Sequence, residues 1–571
     1  MSDSAVPARE SSPLARQLDS VFRRLDPGWE SGTLIEDLVA ANGEGHVCLP
    51  LPAPARARLA RSPLVGAAGA YAPLILDADG RLYFARHWHD EARLAAGLSR
   101  LAARPEPVAA EDARVWLERL FPAAGGEEQK RAAALACRQR FLVISGGPGT
   151  GKTTTVVRLL ALLAALSPRP LVMAMAAPTG KAAARLSDSV RAARESLPVD
   201  AAVREQLPTT AQTLHRLLGL RPGVFAARHH AGNPLPLDVL VIDEASMIDL
   251  NLMARAVDAL PSGARLILLG DRDQLSSVDA GDVLGDLCAR VSYREPTLAW
   301  LAAAGVAPPS GAGVAPDRLA DCVALLSHSH RFAADSGIGA LARSVNARDA
   351  GAVLALLDDP AHDDVGWRVD EDLASAVLAR REGYLAAARA GEGAAGLARH
   401  FAGFMLLAAE RRQVDAVNAR VEALLVAGGY KDAASSWYPG RPVLITENDY
   451  SVGVFNGDIG FTVVRDGALR VAFPAADGSW RELAPGRLPA HQTVFAMTVH
   501  KSQGSEYEDV WLLLSPDSKL DRALVYTAIT RARRHFAVSG PRVALAAAVS
   551  SERPRHSGLA GRFAAENDLV R

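Results

Sequence analysis

Lysine is scarce: the 571 residues hold six Lys among 63 basic side chains, so nearly all positive charge is written as arginine. Three of the six, Lys152, Lys181 and Lys501, fall in motifs described below, where a compact ammonium suits a phosphate. Cysteine is scarcer still. Cys48, Cys137, Cys288 and Cys322 stand far apart with no C-x-x-C, which excludes a zinc ribbon and a disulfide framework and leaves four buried thiols as the expectation. No uncharged apolar run approaches ~18 residues, so no transmembrane helix is expected. The first twenty residues mix acids, arginines and a proline, unlike a secretory signal. A soluble, cytoplasmic protein with no membrane contact is the expectation. Net charge is −1, so no global basic field marks a polyanion partner, although a basic groove can hide inside a neutral total.

At roughly 150 residues per domain the length predicts three to five domains with ample chain for large cores. Residues 1 to about 13, rich in Ser, Pro and Ala, read as a frayed terminus. Apolar residues then recur at helical spacing (Leu14, Leu18, Val21, Phe22, Leu25), and again at Val115, Trp116, Leu117 and Leu120, with a hairpin expected near 74–84. From Gln129 onward strands alternate with helices, the pattern of a parallel sheet covered on both faces. Strands are expected at 141–145, 171–176, 237–242 and 265–269. A Gly/Pro/Ala loop covers 304–316. A second α/β unit follows, with a strand at 404–408 and a helix at 411–425, and is interrupted over 440–483 by short β segments broken at Asn448-Asp449, Asn456-Gly457 and Asp466-Gly467. That interruption reads as a small β-barrel inserted into the second unit.

The chemistry gathers at the carboxyl ends of these strands, where ligands sit in open parallel sheets. FLVISGGPGTGKTTTV, from 141 to 156, is a strand, a glycine-rich turn and a helix start in succession. Gly146, Gly151, Lys152 and Thr153 fill G-x-x-x-x-G-K-[ST], in which glycine N–H groups surround phosphates, lysine reaches the β and γ phosphates and the hydroxyl ligates Mg²⁺. Asp243 and Glu244 follow the strand at 237: one carboxylate can position the metal while its neighbour polarises a water. Asp271, Arg272, Asp273 and Gln274 end the next strand, and Gln274 reads as a γ-phosphate sensor. His328 and His330, spaced i, i+2 without Cys or carboxylate support, are incidental rather than a metal site. Thr498, His500, Lys501, Ser502, Gln503 and Gly504 crowd a strand-to-helix turn, and Arg531, Arg533 and Arg534 precede the final strand.

In their order, GGPGTGKTTT, APTGKAA, TLHRLLG, VIDEASM, LGDRDQL, HRF, TVHKSQGSE and VYTAITRAR resemble the superfamily 1 helicases, and within them the RecD family, over about 125–555. The resemblance implies an α/β fold of two RecA-like P-loop NTPase domains. The first would span 126–325, with a small strand-separating protrusion at about 221–236. The second would span 326–571, with an SH3-like β insertion at about 440–490. Residues 1–125 would form a helical amino-terminal domain that binds partners. It implies a 5′-to-3′ single-stranded DNA translocase and helicase acting at DNA ends with RecB and RecC, in double-strand break repair and recombination, with ATP and Mg²⁺ as cofactors. The nucleotide would be held by Gly146, Gly147, Pro148, Gly149, Thr150, Gly151, Lys152, Thr153 and Thr154, by Gln503 and Gly504, and by an adenine-reading Gln129. Thr153 and Asp243 would serve the metal, Glu244 would be the base and Gln274 the sensor. Arg331 and Arg531 would reach in from the second domain as arginine fingers. Pro178, Thr179, Thr213, His215, Thr498, His500, Lys501 and Ser502 would line the DNA path. One position departs from the family pattern: His330 stands where the family has tyrosine before Arg331, so the tyrosine's stacking role does not carry over, while Arg331 is unaffected. No acidic cluster with a lysine marks a nuclease. A stand-alone RecD-like helicase, which usually carries a longer amino-terminal extension, and an ATP-gated scaffold are the competing expectations.

Overall fold

Two all-parallel sheets, each with buried apolar strands at its centre, form the two lobes of the computed structural model. The structure describes residues 12–29, 32–122, 126–221, 223–224, 226–309, 317–333, 335–368, 372–449, 451–475, 478–516 and 520–564. The expected frayed residues 1–11, the loop residues 310–316, and positions 222 and 225 of the expected protrusion lie outside them. Within that stretch His230 pairs with Asn233 in an isolated antiparallel bridge. No helix among the described residues is long and apolar enough to cross a membrane.

Near the amino terminus, β1 (Cys48–Pro50), β2 (Val65–Gly66), β3 (Leu74–Leu76) and β4 (Arg81–Phe84) form a sheet in the order β1-β4-β3-β2. The expected hairpin is β3 and β4, antiparallel with Ile75 opposite Tyr83. The expected helical region with one hairpin thus holds a four-stranded sheet as well, whose strands of two to four residues are too short to show periodicity.

The first large sheet comprises β5 (Phe141–Gly146), β6 (Met173–Ala177), β7 (Ala211–Thr213), β8 (Val239–Ile242), β9 (Arg265–Gly270) and β10 (Val323–Leu326), in the order β10-β5-β9-β8-β6-β7. Every residue of β5 is buried, as a central strand with helices on both sides requires. Alternate residues serve opposite cores. Phe141, Val143, Leu240 and Ile242 pack on one face; Leu142, Ile144, Val239 and Val241 pack on the other.

These cores shift the expected boundary at 125. The helix Ala85–Ala102 supplies Leu94, Leu98 and Leu101 to the first face, and Ala110–Leu120 supplies Leu117 and Leu120 to the second. A Cβ on Gly97 would sit 2.3 Å from Val257 Cγ1, so the helix lies flush on Leu250–Asp258. Residues up to about Leu82 keep a small core of their own around Phe22, Trp29 and Leu38.

The second sheet contains β11 (Val365–Arg368) and β12 (Phe404–Ala408). The insertion follows as β13 (Pro442–Ile445), β14 (Ile459–Arg465), β15 (Ala468–Pro474), β16 (Trp480–Leu483) and β17 (His491–Thr493), all antiparallel in the order β16-β15-β14-β13-β17. The parallel sheet resumes with β18 (Ala496–Thr498), β19 (Tyr507–Leu513) and β20 (Ala532–Ser539), in the order β11-β20-β19-β12-β18. After the helix Arg542–Ser550 the chain does not stay with this lobe. Residues 555–563 return to the first lobe and the amino-terminal region, where Leu559 and Phe563 enter the first core.

Candidate functional site

The glycine-rich turn closes by its own hydrogen bonds. Gly149 and Gly151 both have φ of +77°, and Gly151 caps the helix Lys152–Leu166, so the first helical N–H groups face the concavity. Thr150 Oγ1 donates to the carbonyl of Gly147 at 2.8 Å, and the Lys152 ammonium donates to the carbonyls of Gly146 and of Gly147, the latter at 3.0 Å. Thr153 is half-buried beside the turn and Thr154 is exposed. The segment leaving β10 lies directly over the loop. His330 N donates to Gly149 O at 2.8 Å, Ser329 Oγ donates to Pro148 O at 3.0 Å, and a Cβ on Gly149 would stand 2.2 Å from Arg331 Cβ. Arg331 therefore arises from the connector out of the first sheet, not from the second lobe, which corrects that expectation.

Asp243 and Glu244 leave β8 in a strained turn. Glu244 has φ of +52°, a left-handed conformation that costs an L residue of order 1–3 kcal/mol and clusters at functional sites. Its N–H donates to Asp243 Oδ1 at 2.9 Å. Burial, and then the adjacent Glu244 charge, push the Asp243 carboxyl up, against the pull of Lys152. From β9, the buried Asp271 accepts from Gln274 Nε2 at 2.9 Å and from the Tyr526 hydroxyl at 3.1 Å. Gln274 Oε1 in turn accepts from Arg531 Nη2 at 3.1 Å. Arg531, buried, also donates to Thr527 O at 3.1 Å and Ser505 O at 3.3 Å. Burial lowers its pKa, and the charges of Glu244 and Glu506 oppose that. Gln274 of the first lobe and Arg531 of the second are thereby hydrogen-bonded to each other.

Gln129, on the helix Glu127–Arg138, donates from Nε2 to Thr150 O at 3.0 Å and lies 3.2 Å from His330 Nε2. Its Oε1 is buried without a hydrogen-bond partner, as is Arg331 Nη1. An orphaned acceptor beside the loop suits an exocyclic amine, and an orphaned guanidinium nitrogen suits a phosphate, so the residues present fit a nucleoside triphosphate. The Thr153 hydroxyl and the Asp243 carboxylate are hard oxygen donors of the kind Mg²⁺ takes with phosphates. Among the described residues no group of three or more His, Cys, Asp or Glu could hold a metal by itself.

The residues expected on the DNA path have mixed local roles. Pro178 directly precedes Thr179, which caps Gly180–Glu195 through Ala182 N, and Thr213 caps Leu214–Leu218 through Arg216 N. Thr498 Oγ1 accepts from Lys501 N at 3.4 Å. Burial lowers the pKa of His215 and His500 and that of Lys501. Ser502 is corrected: it is fully buried and its hydroxyl donates to Val499 O at 2.7 Å, so it faces no groove. Gln503 Nε2 donates to Leu275 O at 2.9 Å across the lobes, and Gly504 (φ +71°) lies against Ala182 rather than the glycine loop. Lys181 meets Ser505, and Asp458 of the insertion bears on its charge. Three residues that sequence reasoning missed stand here: Tyr526, Arg185 and Glu506. The first and last lie inside VYTAITRAR and TVHKSQGSE, but nothing local marks their partners.

Residues 129–280 match the family described as AAA domain, and 493–538 match the UvrD-like helicase C-terminal domain. The chain is 41 % identical over 552 residues to the RecBCD enzyme subunit RecD of Mycobacterium tuberculosis, covering 93 % of this chain and 88 % of that one. It is 32 % identical over 496 residues to the ATP-dependent RecD2 DNA helicase of Deinococcus radiodurans, covering 85 % of this chain and 59 % of that protein. A crystal structure of Bacteroides Pif1 bound to ssDNA is 16 % identical over 73 % of this chain and 92 % of that chain, at a TM-score of 0.40.

Proposed function

Since the chain belongs to the RecD family, the helicase subunits of the RecBCD enzyme, we propose that it is an ATP-dependent DNA motor that moves 5′ to 3′ on single strands in complex with RecB and RecC. The observation that carries this reading is the hydrogen-bonded series Asp271, Gln274, Arg531, which joins the wall of the glycine loop to the second lobe. A change at the phosphates is felt by both lobes at once.

In this reading Lys152 leaves the carbonyls of Gly146 and Gly147 for the β and γ phosphates, and the backbone N–H groups of 147–153 cradle them. Gln129 reads the base through its free Oε1. Thr153 and Asp243 would hold Mg²⁺, which neutralises phosphate charge. Glu244 takes the proton of the attacking water. Arg331 and Arg531 draw the cleft shut while the γ-phosphate is present, and its loss relaxes them. Strand contacts come from Pro178, Thr179, Thr213, His215, Thr498, His500 and Lys501, mostly hydroxyls and neutral imidazoles, so grip on the sugar-phosphate backbone outweighs base reading. The five-stranded insertion is SH3-like, and the small amino-terminal core docks partner subunits in the cytoplasm.

The test is ATP hydrolysis with and without single-stranded DNA, alone and with RecB and RecC. Hydrolysis should rise at least tenfold with DNA and vanish in Lys152→Gln, and the chain should co-elute with the partners. A processive, stable monomer would favour the self-sufficient RecD2 type. Normal nucleotide binding without movement on a tethered strand would favour a scaffold.

A further inference from the structure

A single carboxylate holds three arginines at the cleft. Glu506, at the start of β19 and with its side chain 7 % exposed, accepts at Oε1 from Arg185 and from Arg331 Nη2, the latter at 2.7 Å. Its Oε2 accepts from Arg533 Nε at 3.0 Å and Nη2 at 2.9 Å. The three guanidiniums come from different places: Arg185 from the helix behind β6, Arg331 from the connector over the glycine loop, and Arg533 from β20. Burial alone would raise the Glu506 pKa, but Arg185 and Arg331 hold it down at about 2, so the group is charged at any working pH.

Three arginines meet at this one carboxylate; Arg533 also reaches Glu508 at 3.6 Å, and the buried Arg531 feels the charges of both Glu244 and Glu506. Arg331 Nη1 is buried without a partner, beside the glycine loop that its own Cβ touches. A guanidinium rooted beside the glycine loop, with one nitrogen committed to a carboxylate and the other buried without a partner, has a donor left for a second anion. Whichever anion it contacts, it leaves the other with one cation fewer.

We propose that Glu506 stands in for the γ-phosphate: it holds Arg331 until a nucleoside triphosphate takes that arginine away, so capture of the triphosphate must compete with this carboxylate. Glu506 is then a positioning residue, acting through Arg331. Exchange of Arg331 frees one Oε1 position and leaves Glu506 to Arg185 of the first lobe and Arg533 of the second, which links triphosphate capture to the seam between lobes. The apparent affinity for triphosphate is reduced by the fraction of molecules in which Glu506 holds the arginine. Diphosphate, having no γ-phosphate, does not compete.

This rests on the reading of Arg331 as a γ-phosphate contact, so the test is made on binding rather than turnover. The full chain and Glu506→Gln are titrated calorimetrically with a non-hydrolysable β,γ-imido ATP analogue and with ADP, with melting followed by far-ultraviolet circular dichroism. Glu506→Gln should bind the triphosphate analogue about 3- to 10-fold more tightly, with ADP affinity unchanged within twofold. Glu506→Asp, which keeps the charge on a shorter arm, should fall between them and serves if the Gln variant does not fold. Equal shifts for both nucleotides, no shift, or weaker triphosphate binding overturns the proposal. If the motor reading fails instead, the unsubstituted chain shows no DNA-stimulated hydrolysis, whatever Glu506 does to binding.

Discussion

Gly149 meets two demands that no other residue type can satisfy. Its φ of +77° is a left-handed conformation, and its missing Cβ leaves room for Arg331, whose Cβ would otherwise be 2.2 Å away and whose N would be 2.9 Å away. Gly457 offers a control, because it has φ of +93° and open space where a Cβ would go. Gly457→Ala should cost about 1 kcal/mol in chemical denaturation and leave activity intact. Gly149→Ala carries a similar backbone cost plus a clash with the segment that carries Arg331, and should lower kcat/KM for ATP by on the order of 100-fold, since a misplacement of about 1 Å is felt at that scale. Steady-state kinetics on both variants decides it; equal effects would mean that the turn matters only as backbone. Residues of this kind were legible early, because a strand, a glycine turn and a helix cap are local in sequence. Glu506 was not. Its importance lies in three arginines drawn from positions 185, 331 and 533, and no window of sequence brings those together.

At the scale of elements, the returning segment after Arg542–Ser550 binds what the sequence leaves separate. Val47 N donates to His556 O at 2.9 Å, Arg555 Nη1 donates to the carbonyls of Asp279 and Gly281 at 3.0 Å each, and Glu91, fully buried, accepts from Gly558 N at 2.8 Å and Arg562 Nε at 3.0 Å. Glu91 sits on the helix that also covers the first sheet, so the strap fixes the amino-terminal region, the first lobe and the end of the chain at one point. Removing Arg562 leaves a buried carboxylate short of its only cationic ion-pair partner among the described residues. Breaking such a pair typically costs 3–5 kcal/mol; with Arg562 about one-fifth exposed, Arg562→Ala should lose about 2–3 kcal/mol, read as a shift of the denaturation midpoint. An unchanged midpoint would mean the strap is an ornament of the surface. The sequence reading placed 551–564 with the second lobe because chain order is its default guide, and placed Ala85–Ala102 in a separate domain for the same reason. Both helix and strap carry apolar faces that the sequence displays, but the face they cover belongs to β strands far along the chain. Periodicity says that a stripe is buried and does not say against what.

The proposed motor requires the lobes to move as units about a hinge, and several of the contacts between them are polar. Arg522 Nη1 reaches Asp273 Oδ1 at 3.1 Å, Leu275 N donates to Thr527 Oγ1 at 2.9 Å, and Gln503 closes on Leu275 O. Polar contacts of this kind can exchange with water as a cleft opens and closes. Leu275 is different: it follows Gln274 directly, yet its side chain is buried in the core of the second lobe, whose other buried members all come from 338 onward. A movement of Gln274 is therefore delivered through one covalent step to an apolar plug in the opposite lobe. Truncating that plug should uncouple the lobes without unfolding either, because each keeps its own core. Leu275→Ala would ordinarily cost about 2–5 kcal/mol if it stood inside a single core, but at a seam part of that loss appears as weaker coupling rather than lower stability. The expected result is nucleotide affinity within about threefold of the parent and stimulation of ATP hydrolysis by single-stranded DNA reduced about tenfold, a loss of about 1.4 kcal/mol in coupling. Calorimetric binding and DNA-stimulated turnover on the same preparation separate the two quantities. Full stimulation in the variant would place the coupling in the polar contacts instead, with Arg531 and Gln503 as the next residues to change.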